Sequence, residues 1–165
     1  MGAGMELTRS MAGLLLGALL AMAPAAQAAP TILHVDGMTG AEVAKWLRDA
    51  GYKAELTTDK SGDPMIKSAA DGVNFNVNFY DCEAKPRCKA IQFSAGFDLK
   101  QPLDAAKIKE WNRNNRYLKA YLDDEGDPHV EYDVNLNAGR TKEGLEDDFA
   151  VWTSMIGDFT KFIGW

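Results

Sequence analysis

Two thiols, Cys82 and Cys88, stand six positions apart in the stretch FNVNFYDCEAKPRCKAIQF, residues 75–93. Three chemistries could use such a pair. A structural metal site needs two further ligands at suitable spacing. His34 and His129 are the only histidines, and neither lies in a C-x-x-C-like pattern. A redox pair is usually C-x-x-C with a lowered thiol pKa; five intervening residues and the acidic neighbours Asp81 and Glu83 work against that. An even cysteine pair in an exported chain forms a disulfide, and that is the expectation here. Closing so short a loop is worth about 2 kcal/mol.

Three further groups could do chemistry. Asn74, Asn76 and Asn78 alternate with apolar residues, so their amides fall on one side of a strand. They read as the wet face of an antiparallel sheet, or as a ladder that grips a peptide backbone or a sugar. The acidic run 123–127 invites calcium, but it lacks the D-x-[DN]-x-[DN]-G spacing and a glutamate at the twelfth position; it reads as a hairpin turn. Asp133 could pair with another acid. No nucleophile–base or metal constellation is visible, so no catalytic, cofactor-binding or metal residue is assigned and no cofactor is expected.

The elements that must position these residues follow from periodicity. Residues 73–79 and 91–97 have period two on either side of a charged loop with Pro86. They predict a hairpin that the cysteines tie near its base, fixing a register whose slip would expose Phe75 and Phe79. Upstream, Thr39 and Glu42 form a capping box, followed by Val43, Trp46, Leu47 and Ala50 at helical spacing up to Gly51. Short strands are expected at 54–58 and 64–70, with a turn at 59–63 and a hairpin at Asp71-Gly72. Asp104 caps a helix to about residue 114, with Leu103 and Ile108 as a hydrophobic staple. Strands at 117–122 and 129–136 precede a long helix capped by Thr141. On that helix Leu145, Phe149, Trp152, Ile156, Phe159 and Ile163 form one stripe, and Val151, Met155 and Phe162 a second beside it. One stripe suffices to pack on a sheet, so the second marks either a helix buried deeper than usual or a dimer or client contact, and it is the candidate partner surface. The order is α-β-β-β-β-α-β-β-α, an α+β fold with an antiparallel sheet. No internal repeat is evident.

The amino end reads as a signal peptide. Arg9 precedes an apolar run at 11–23, then Pro24 and the small-x-small site Ala26-Gln27-Ala28. The run is short for a membrane span. Residues 1–28 are therefore expected to be removed, leaving domain 29–165 periplasmic or secreted, with no stable membrane insertion. A net charge of −6 and no basic cluster argue against nucleic acid.

Several short segments carry a resemblance to a known family. They are Gly51-Tyr52, Gly62-Asp63-Pro64 with Ile66, Asp81-Cys82, and Cys88 with the run 91–97. Trp111-Asn112, Tyr121-Leu122-Asp123, Gly126-Asp127-Pro128, Asp133 and the run 135–141 continue it. The chain resembles the YbjN-domain family of bacterial proteins over nearly all of 29–165. The resemblance implies a fold similar to type III secretion chaperones, which are small acidic α+β proteins that often dimerise and bind extended client segments. Family members are also labelled regulators of sensory transduction. No catalytic residues carry over. The reading is an exported, non-catalytic binding or adaptor domain that takes a protein partner or forms a homodimer. The alternative is an envelope-stress or sensory regulatory module that binds a small ligand, and after that a hydrolytic enzyme. An exposed apolar strip on the last helix would favour a protein partner. A deep pocket with convergent polar groups would favour a ligand or catalysis.

Overall fold

The computed structural model describes residues 1–2, 28–82 and 86–165. The expected signal segment falls almost wholly outside the described residues. The chain runs β1 (Ile32–Asp36), α1 (Gly40–Asp49), β2 (Glu55–Thr58), β3 (Pro64–Ala70), β4 (Val73–Cys82) and β5 (Cys88–Gly96). It continues through α2 (Ala105–Asn114), β6 (Lys119–Leu122), β7 (Pro128–Asn135), β8 (Asn137–Thr141) and α3 (Lys142–Ile163). Strands β2 to β7 form one antiparallel sheet in the order β2-β3-β4-β5-β7-β6, and β1 pairs with β8 apart from it. The fold is the expected α+β, with three helices among the described residues, where it has two strands more than the sequence suggests, β1 and β8.

All three helices serve one face of the six-stranded sheet. The first stripe of α3, Leu145, Phe149, Trp152, Ile156, Phe159 and Ile163, is buried along its whole length. Trp152 packs on Phe75 of β4 and Phe93 of β5, with ring centroids 5.5 and 5.6 Å apart. Phe149 carries the contact on to Trp46 of α1 at 5.4 Å, and Phe159 carries it to Trp111 of α2 at 4.9 Å. Each such side chain, fully buried, is worth about 1.5–3 kcal/mol, so this stripe ties the helical layer to the sheet.

The caps form as the sequence indicates. The Thr39 hydroxyl accepts from the Glu42 N–H at 3.1 Å, and the Glu42 carboxylate accepts from the Thr39 N–H at 2.8 Å. Arg87 then clamps the same carboxylate with two bonds of 2.8 Å, which links α1 to the loop before β5. Cys82 and Cys88 are disulfide-bonded and lie opposite one another across β4–β5, their Cα atoms 4.1 Å apart. Cys88 is also bridged to Met38 by backbone bonds in both directions.

Two turns of the sheet share one design. In each, a leading aspartate, Asp59 or Asp123, accepts from two backbone N–H groups through Oδ1, at 2.8–3.0 Å. Its own N–H donates to the carbonyl four residues on, and a glycine N–H donates back. Gly62 and Gly126 have φ of +92° and +86°, which L side chains resist. The shared sequence is D-x-x-G-D-P, at 59–64 and 123–128. It is a six-residue turn motif used twice, too short to form a repeating structural unit. It closes the hairpins β2–β3 and β6–β7 at opposite sides of the sheet.

A candidate binding face

The alternation that buries Phe75, Val77 and Phe79 puts Asn74, Asn76, Asn78 and Tyr80 on the other face of β4. No helix among the described residues covers that face. Register brings residues of this face into rows across the strands, two of them polar at every position but Met65. One row runs Glu55, Lys67, Asn76, Ser94, Glu131 and Lys119; another runs Thr57, Met65, Asn78, Gln92 and Asp133. The face is concave, with a cavity of about 510 Å³ reaching from Asp59 and Tyr80 to Tyr121 and His129. By strand rise, Asn74 and Tyr80 are about 20 Å apart, so the concavity is a long shallow groove.

Its floor is partly tied and partly open. Asn78 donates to Ser94 Oγ at 2.9 Å. Gln92 donates to Asp133 at 2.9 Å and accepts from the Tyr80 hydroxyl at 3.3 Å. The amides of Asn74 and Asn76 have no side-chain hydrogen bond to any described residue. They are exposed or half-buried and present donors and acceptors to whatever lies in the groove.

One wall is a linked set of side chains on β6 and β7. Glu131 accepts from Lys119 at 2.7 Å and from the Tyr121 hydroxyl at 3.0 Å. The Tyr121 ring stacks on His129 at 5.3 Å, and His129 Nε2 lies 3.2 Å from Asp123. Gly96 makes room for this arrangement: a Cβ there would meet the His129 ring at 2.5 Å. The acidic run 123–127 is thus a hairpin turn, as its sequence suggested, and its first carboxylate holds backbone N–H groups and His129.

Burial and neighbouring charges shift several titratable groups on this face. Burial, then the carboxylates of Glu131, Asp133 and Asp59, push the Tyr80 hydroxyl above its usual range. Burial and the bond to Glu131 do the same for Tyr121. The bond to Glu131 raises the Lys119 ammonium. Asp123 is held below the usual carboxylate range, chiefly by the Asp127 N–H and then by His129, against a smaller opposing effect of burial.

The other sequence candidates lie elsewhere. Val151, Met155 and Phe162 are half-buried on α3. Met155 and Phe162 pack against the core. The Phe162 ring sits 5.4 Å from Trp111, with Lys107 over it at 5.3 Å, so α2 takes this part of the second stripe. His34 is on β1, where its Nδ1 accepts from the Asp36 N–H. Among the described residues no group of three or more His, Cys, Asp or Glu side chains is placed to hold a metal ion, and no helix is long and apolar enough to cross a membrane. The open-face residues that sequence reasoning missed are Tyr80, Tyr121, His129 and Glu131. The parity of Tyr121, His129 and Glu131 on the expected strands is visible, and Tyr80 falls one residue past the expected 73–79 because β4 runs on to Cys82; the pairing of β5 with β7 that gathers them is not visible.

Fold and face together define a helix-backed antiparallel sheet with one open polar side. The YbjN family, described as "Putative bacterial sensory transduction regulator", matches residues 39–165, and the chain belongs to it. The match begins at the α1 cap, leaving β1 before it. No curated protein matches the chain.

Proposed function

We propose that this YbjN domain is exported and non-catalytic, and that it works by docking a protein segment on the open face of its sheet. The observation that supports this is the asymmetry of the sheet. One face is packed by three helices. The other carries a polar groove in which the amides of Asn74 and Asn76 have no side-chain hydrogen bond to any described residue. A shallow groove about 20 Å long suits an extended chain better than an enclosed small molecule. The cavity of about 510 Å³ is the observation that favours the second reading, a small polar ligand sensed by a regulatory module. Export is supported by the disulfide, a bond of oxidising compartments; mass spectrometry of the exported chain should then find Ala29 at its amino end.

Photo-crosslinking in cells tests the docking surface. A benzophenone side chain at Asn76 should give a discrete adduct, and the same group at Lys161, an exposed site on α3, should not. Adducts from Lys161 with none from Asn76 would reject the reading.

A further inference from the structure

We infer that the segment docked on the open face is basic and extended, with its cationic side chains directed to Glu131 and Asp133; this rests on the open face being the docking surface. Charge complementarity is the first support. The face carries the carboxylates of Glu55, Asp59, Glu131 and Asp133 against the ammonium groups of Lys67 and Lys119. Lys119 and Tyr121 both bond Glu131, and Gln92 bonds one oxygen of Asp133. Both carboxylates are therefore oriented, and each retains acceptor capacity. The second support is spacing. Asn74, Asn76 and Asn78 repeat along β4 at about 6.8 Å, two residues of strand rise. An extended peptide laid along β4 presents backbone groups and side chains at the same period, so one register serves each amide in turn. A saccharide would have to stack on Tyr80, which is exposed, because the Tyr121 ring is already stacked by His129 and approached by Lys119; the competing oligosaccharide probe tests that source.

The test is fluorescence anisotropy of labelled octapeptides, alternating Lys-Thr and alternating Glu-Thr, with a chito-oligosaccharide as the competing probe. The variants are Glu131→Gln with Asp133→Asn, and Asn76→Lys, each first checked for unchanged thermal unfolding. The expected result is binding of the Lys-Thr peptide, weakened about tenfold or more by the double variant and by added salt, with no binding of the Glu-Thr peptide. If peptides bind without charge preference and Asn76→Lys still abolishes binding, the inference fails while the open face stands. Binding indifferent to Asn76→Lys overturns both. Failure of the Lys-Thr peptide to bind, or binding of the oligosaccharide in its place, overturns the inference.

Discussion

Gly96 is backbone without a side chain because the His129 ring occupies the space a Cβ would need. Gly96→Ala should displace His129, uncouple it from Tyr121 and Asp123, and cost about 1–3 kcal/mol, the usual range for forced overpacking, measured by urea unfolding. Such a contact is not legible in sequence: Gly96 and His129 are neighbours only because β5 pairs with β7. The asparagine row, by contrast, was legible from period two alone, since alternation fixes which side chains share a face. The cysteines were legible too, and replacing both with serine should lower stability by about 1–3 kcal/mol without abolishing the fold, because the closed loop is short. Glu42 supplies a pH test. Burial raises its pKa, but bonds from Arg87 and Thr39 outweigh burial and hold it below the ordinary value. A depressed carboxyl contributes stability above its unfolded pKa, about 4.3, and loses it as pH falls through the folded value. The stability gap between wild type and Glu42→Gln should therefore be wider at pH 7 than at pH 3, read from unfolding curves at each pH.

Helix α3 separates what an element's sequence reveals from what its neighbours decide. Its buried stripe follows directly from steps of three and four residues. Trp152→Ala or Phe159→Ala should cost about 3–5 kcal/mol, since both side chains are fully buried. The second stripe could not be resolved by angle alone. Phe162 packs on Trp111 of α2, so Phe162→Ser should lower stability, by less than the core variants. Met155→Ser, also half-buried, should leave the monomer folded; a drop in mass by light scattering would show that Val151 and Met155 join two copies. Strands β1 and β8 were illegible for a related reason. The β8 segment, NAGRT, has no apolar alternation, and Ala138 and Gly139 both have positive φ. The β1–β8 register shifts at two places. These strands exist through their pairing with one another rather than through local propensity. Helix α2 shows the opposite case: Asn112 makes two bonds to the Ala120 backbone at the outer edge of β6, a role its sequence position alone does not disclose.

At the scale of the molecule, the two faces of the sheet have different jobs. Periodicity made the fold class and most of the core readable, because each amphipathic element declares which side it buries. It left unread the strand order β2-β3-β4-β5-β7-β6, and with it the groove, because strand order is set by long-range pairing. The matched turns at 59–64 and 123–128 close hairpins at both sides of the sheet. Edge protection differs between those sides: α2 covers part of the β6 edge through Asn112, and Leu56 on the β2 edge is 46% exposed. The central claim is that partners meet this molecule on the open face. Side-chain amide signals in nitrogen-15 NMR spectra test it most directly, because Asn74, Asn76, Asn78 and Gln92 line the groove. Titration with the alternating Lys-Thr peptide should move these amides together, leaving Val151 and Met155 on α3 unchanged. Shifts confined to the α3 surface, with the asparagine amides still, would contradict the account.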